Sequence, residues 1–199
     1  MPPKTSHVLV VLGAFLTGLV IFLGVFFYAT GQFGGSGAPG PSAIGGPFNL
    51  IDQDGKPVTD QDIKGKPHLV FFGYTHCPDV CPATLFEVSE LLRALGKDGD
   101  RAGALFITVD PERDTAPVLK DYLSSFDPRL RAATGDQKAI EAVEKAYRVY
   151  AKKVPGDNAD YSMDHTALVY LMDKQGRFVA PFSLKRRPEE AAADLRKYF

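Results

Sequence analysis

Tryptophan is absent, cysteine occurs twice, and the first 47 residues carry a single charged side chain, Lys4. Each scarcity excludes something. Two cysteines cannot build the multiply stapled scaffold of a small secreted domain. All 24 Asp and Glu, and all but one of the 23 Lys and Arg, lie beyond Pro47. That part of the chain is too close to neutral to imply a nucleic-acid groove, whose footprint would be a basic face. No internal repeat interrupts it. Hydrophobic residues make up 45% and charged residues 24% of the 199, the balance of one ordinary folded domain.

The charge-free N-terminal region coincides with an apolar run. Val8 to Ala29 is 22 residues without a charge, long enough to span a bilayer. A cleaved signal peptide has a shorter apolar stretch and a small-x-small site, which Phe27-Tyr28-Ala29 spoils. An uncleaved anchor is therefore expected over 8–29. Lys4 and the amino terminus are the only positive charges before it, and Lys56 is the next, so residues 1–7 are expected in the cytoplasm and the remainder outside it. Residues 30–47, rich in Gly, Pro and Ala, read as a flexible tether. The folded domain is expected over 48–199.

Within that domain, Phe48–Val58 reads as a hairpin around Asp54-Gly55. Leu69-Val70-Phe71-Phe72 is the continuous apolar run of a strand buried on both faces, the expected central strand. Leu85, Val88, Leu92 and Leu95 recur at helical spacing after it. A second buried strand is expected at Ala104–Val109, a helix around Ala116–Ser125, and a short edge strand at Arg131–Thr134. A helix is expected over Asp136–Ala151, with Ile140, Val143, Tyr147 and Tyr150 on one face. Strands at Thr166–Met172 and Phe178–Phe182 and a last helix from Pro188 close the chain. Strands alternating with helices, then a terminal hairpin, give the thioredoxin-like α/β order.

Cys77-Pro78-Asp79-Val80-Cys81-Pro82 follows the central strand directly. Proline is favoured at the first helical position, which predicts a helix starting at Pro82 with Cys81 as its cap. Sulfurs four residues apart in such a turn can share a metal ion or form a disulfide. The positive end of the helix dipole is expected to lower a nearby thiol pKa, which serves ligand and nucleophile alike. An inert disulfide is the third possibility, and spacing alone does not separate the three.

His165 precedes the strand at 166–172. Ligand sites in such sheets form beside the carboxyl ends of the strands, where the cysteine turn lies. Two thiolates and one imidazole make a soft, low-coordinate set suited to copper, whereas zinc normally takes a fourth ligand. Asp79, Asp160 and Asp164 are candidates to tune the local charge or orient the imidazole. His76 is the rival ligand, and His68, opening a buried strand, is expected to be structural.

Three segments resemble the Sco/SenC family of copper-binding proteins that assemble cytochrome c oxidase. They are Gly73-Tyr74-Thr75-His76-Cys77-Pro78-Asp79-Val80-Cys81-Pro82, Thr108-Val109-Asp110-Pro111-Glu112-Arg113-Asp114-Thr115 and Asp160-Tyr161-Ser162-Met163-Asp164-His165-Thr166, in the family's order. The resemblance implies a thioredoxin-like domain tethered to the periplasmic side of an inner membrane. It further implies one Cu(I) or Cu(II) held by Cys77, Cys81 and His165. The implied role is a metal carrier rather than an enzyme, delivering copper to the dinuclear site of oxidase subunit II or reducing that site's cysteines, with other periplasmic copper carriers as further partners. The alternative is a thiol–disulfide oxidoreductase using Cys77 and Cys81. The 110–115 segment is expected only to shape a loop, with Arg113 pairing with nearby acids. Related redox families fit less well. A thioredoxin has two residues between its cysteines, a preceding tryptophan and an opposing cis-proline, and a peroxiredoxin has a threonine three positions before its cysteine, whereas Thr75 is two before Cys77.

Overall fold

The computed structural model describes residues 4–29, 44–156 and 160–199, and the chain divides into two compact units, Met1–Gly40 and Pro41–Phe199. The described part of the first is one helix, α1 (Lys4–Ala29). Among the described residues no helix is long and apolar enough to cross a membrane. The expected span, Val8–Ala29, extends beyond the described side chains at both ends. Most of the expected tether, 30–43, lies outside the described residues. Its last residues belong to the second unit, where Ile44 packs on the core and the Gly45 amide donates to the Ala146 carbonyl (2.8 Å).

The second unit runs β1 (Asn49–Asp52), β2 (Pro57–Thr59), β3 (His68–Gly73), α2 (Val80–Leu95), β4 (Gly103–Thr108), α3 (Ala116–Leu123), β5 (Leu130–Thr134) and α4 (Gln137–Tyr147). It continues with β6 (Ala151–Pro155), β7 (Tyr161–His165), β8 (Val169–Met172), β9 (Phe178–Pro181) and α5 (Pro188–Leu195). Seven strands form one sheet in the order β2-β1-β5-β4-β3-β8-β9, and β6 and β7 pair only with each other. β3 is buried along its whole length, runs parallel to β4 and is antiparallel to β8. The thioredoxin-like α/β expectation holds, with β3 in the interior of the sheet.

Successive β3 side chains point to opposite faces. Phe72 packs at an angle against Tyr147 of α4 and edge-on to Tyr170 of β8, while Phe71 meets Phe106 of β4 and the His165 ring. One face is thus a closed aromatic core, and the other leads to the functional residues.

Register decides where those residues collect. β3 ends at Gly73 beside Thr108, the end of β4. β8 runs the other way and begins at Val169, paired with Phe71. The loop after β3, the loop after β4 and the residues preceding β8 therefore meet at one end of the sheet.

Several local expectations are corrected. β5 is not an edge strand, because β1 pairs antiparallel with it and Arg131 bonds the buried Asp52 carboxylate at 3.0 Å. α4 stops at Tyr147 because Arg148 turns left-handed (φ 54°), which leaves Tyr150 exposed while Ile140, Val143 and Tyr147 are buried. α2 begins at Val80 with Asp79 as its cap, two residues before the expected start. Pro82 is tolerated there because first-turn amides have no intrahelical partner.

Gly73 is constrained by its neighbours. A methyl group on it would lie 2.7 Å from the Cys81 sulfur and 2.8 Å from the Phe106 ring. Gly73→Ala is expected to cost about 1–3 kcal/mol, the usual range for overpacking a core, in urea unfolding of the full chain. Unchanged stability would show that sulfur and ring move aside freely.

Candidate metal centre

The three sequence-derived ligands come together. One ligand atom each from Cys77, Cys81 and His165 lies within 4.8 Å of the others, and both cysteines are free thiols. Each comes from a different local device. Cys77 sits in the loop leaving β3, where its amide donates to the Tyr74 carbonyl (3.3 Å). Cys81 occupies the first turn of α2, wholly buried, with its amide pointing at the Cys77 sulfur (3.4 Å). His165 ends β7, and its Nε2 lies 3.6 Å from the Cys81 sulfur.

The imidazole is held from several sides. Its Nδ1 meets the Thr166 carbonyl at 3.3 Å, which leaves Nε2 free to face the sulfurs. The Tyr74 and Phe71 rings stand edge-on to it, with centroids at 5.8 and 6.4 Å.

Burial acts on the two ligand types in opposite senses, because it disfavours whichever form is charged. It pushes the Cys81 thiol well above its ordinary value, with the hydrogen bond and charge at Cys77 adding to the rise. This reverses the expected lowering by the helix start: Cys81 is withdrawn from water, and loss of solvation outweighs the dipole. Burial also lowers the His165 pKa, against smaller opposing effects of the Thr166 carbonyl and the Asp164 charge. The imidazole is therefore ready as a neutral ligand near neutral pH.

Among the acids expected to orient the ring, none bonds it. Asp79 is the exposed α2 cap and makes no side-chain capping bond. Asp160 accepts from Arg113 (3.2 Å) and from the Tyr161 amide (2.8 Å). Asp164 is exposed and acts on His165 only through its charge. A main-chain carbonyl has taken the role assigned to a carboxylate. His76 lies outside the cluster, exposed, with Nδ1 3.1 Å from the Thr75 hydroxyl. His68 is structural as expected. It is buried, with Nδ1 3.1 Å from the Lys66 carbonyl, and burial lowers its pKa to about 4.

Asp114 is the residue that sequence reading missed. Wholly buried, it accepts from the Thr75 amide (3.0 Å), the Thr75 hydroxyl (2.5 Å) and the Thr108 hydroxyl (2.6 Å). It thereby ties the start of the cysteine loop to the end of β4. Its place in a polar, charged stretch gave no sign of burial. The threonines in both flanking motifs were the available signal.

The donor set is two sulfurs and one imidazole nitrogen, with no fourth His, Cys, Asp or Glu in the cluster among the described residues. That composition fits copper better than zinc, for which a fourth ligand is usual.

Comparison with known proteins agrees. The SCO1/SenC family model matches residues 36–199. An SCO2-like protein of Rickettsia felis is 40% identical over 149 residues, covering 74% of this chain and 73% of that protein. Mitochondrial protein SCO2 of Saccharomyces cerevisiae is 44% identical over 146 residues, covering 71% of this chain and 48% of the yeast protein, so the match spans about half of that relative. The structure of Bradyrhizobium japonicum ScoI with copper bound is similar at a TM-score of 0.77 and 67% identity, covering 78% of this chain and 99% of that one. With the fold and the family match in agreement, the chain belongs to the SCO1/SenC family, and Cys77, Cys81 and His165 are its candidate copper ligands.

Proposed function

We propose that this chain is a membrane-anchored copper carrier that loads one copper ion on Cys77, Cys81 and His165. It passes the ion to the dinuclear copper site of cytochrome c oxidase subunit II. The observation that carries the reading is the convergence of three soft donors within 4.8 Å. The recipient is supported by the family's association with oxidase assembly. The anchor is supported by the charge-free run 8–29, long enough in sequence to span a bilayer, and Lys4 ahead of it supports residues 1–7 in the cytoplasm and the domain on the periplasmic side of an inner membrane. Other periplasmic copper carriers are the natural source of the ion.

Copper is cargo, and the site suits cargo. Three donors hold the ion while leaving room in its coordination shell for an incoming ligand. Cys77 is half-buried and Cys81 fully buried, so a recipient reaches the Cys77 side first. Exchange of donors one at a time then transfers the ion without releasing it to water. Loading requires each thiol to give up its proton, and the raised Cys81 pKa makes that proton release part of the binding equilibrium.

One observation supports a second role for the same pair. The sulfur of the more accessible Cys77 accepts the Cys81 amide, an arrangement that helps a thiolate at Cys77 attack a disulfide. Reduction of a recipient's disulfide would then pass two electrons and two protons to it and leave Cys77 and Cys81 joined.

Metal analysis of the purified full-length chain is expected to give one copper per chain. His165→Ala is expected to weaken binding by at least the roughly 10–100-fold that loss of an outer ligand partner costs. Undiminished affinity in that variant contradicts the three-ligand site. Thiol exchange with a cysteine-bearing peptide, if it is a second role, persists in the same variant.

Affinity is also expected to depend on pH. Burial holds the Cys81 proton on through neutrality, so between pH 6 and 8 log K should rise by about one or more per pH unit. His165 titrates below the ordinary histidine value and adds to the fall only at lower pH. A flat profile in a competition titration over that range contradicts the account.

A further inference from the structure

The ligand set is divided between two bodies. Cys77 and Cys81 belong to the main sheet and α2, whereas His165 ends a two-stranded ribbon whose strands hydrogen-bond only to each other. A two-stranded ribbon is marginal in water without packing, and this one packs little. Met163 is its sole buried residue, and the other β7 side chains are half-buried or exposed. Something besides apolar burial has to hold the ribbon in place.

Arg113, in the loop after β4, supplies the bridge. Its Nη1 donates to the Tyr161 carbonyl at 2.9 Å and to the Asp160 carboxylate at 3.2 Å. Its Nε donates to the Asp110 carboxylate at 2.5 Å, and the guanidinium lies 3.6 Å from the centre of the Tyr161 ring. The Tyr161 hydroxyl closes the circuit by donating to the other Asp110 oxygen at 2.8 Å. Asp110 is wholly buried, so one fixed carboxylate on the body holds both the arginine and the tip of the ribbon.

That grip reaches the ligand by two routes. Tyr161, Met163 and His165 alternate along β7 and share its inward face, so fixing one end of the strand sets the other. The Tyr74 ring lies 5.7 Å from the Arg113 guanidinium and stands edge-on to His165, a packed chain from clamp to ligand. One Arg113 nitrogen, Nη2, is buried without a partner among the described residues. Burying a donor in this way is costly, and the bonds to the ribbon offset that cost.

We propose that Arg113 is a positioning residue for the copper centre: it clamps the β6–β7 ribbon to the body so that His165 stays within bonding reach of the Cys77 and Cys81 sulfurs. The proposal rests on the three-ligand reading. Arg113 touches neither the ion nor its ligands, and acts through Tyr161 and Tyr74.

A double-mutant cycle tests this on the full-length chain loaded with Cu(II), read by nitrogen hyperfine coupling in electron paramagnetic resonance and by copper affinity in competition. Arg113→Ala is expected to keep one copper on the two cysteines, lose the nitrogen coupling and weaken binding by about 10–100-fold. In the His165→Ala background, removing Arg113 is expected to cost nothing further. Arg113→Lys, which keeps a cation but not the planar fork, is expected to recover only part of the coupling. Tyr161→Phe, which deletes the single bond to Asp110, is a milder test read the same way should Arg113→Ala fail to fold. Undiminished nitrogen coupling and affinity in the folded Arg113 and Tyr161 variants, or an Arg113 effect equally large without His165, overturns the proposal. A His165→Ala variant with wild-type affinity would instead overturn the three-ligand reading beneath it.

Discussion

Burial of the Cys81 sulfur against the end of β3 is the contact on which the metal site depends. The sulfur lies where a Gly73 side chain would be, beside the Phe106 ring, so the ligand is part of the core rather than an ornament on a loop. Cys77 is then limited by a four-residue turn from that fixed point, with its amide tied to Tyr74. His165 has to come to them. The fold allows this because β3 and β8 run antiparallel, which puts the residues before β8 beside the residues after β3.

The same burial governs the chemistry. Burial holds the Cys81 thiol toward its protonated form and the His165 imidazole toward its neutral form. A cation that binds there displaces a thiol proton and forms charge only where it neutralises it. The helix start at Val80 favours a thiolate, but at a wholly buried sulfur desolvation is the larger effect. The result is a Cys81 thiol that gives up its proton when metal binds, which suits a carrier.

The elements with dense apolar runs were legible in the sequence. β3, β4 and α2 follow from Leu69–Phe72, Ala104–Val109 and the Leu85, Val88, Leu92, Leu95 repeat. The β6–β7 ribbon was not, because Lys152, Lys153, Ser162 and Asp164 give it too little buried surface to leave a strand signature. The alternation of Tyr161, Met163 and His165 was its one trace, and it would have marked His165 as inward-facing before any motif was considered. Pro82 pointed to the right helix and the wrong first residue, since proline fits anywhere in the first turn. The cysteines were legible from their position after the central strand. His165 needed the motif match, and Asp114 needed coordinates, because a buried acid in a run of charged residues looks like a solvated one.

The central claim is that three donors from two parts of the fold converge on one ion. X-ray absorption at the copper edge of the loaded, full-length chain tests it most directly. The account predicts two sulfur neighbours and one imidazole nitrogen per copper. A shell with one sulfur or none, or with several nitrogen or oxygen neighbours in place of sulfur, would contradict it.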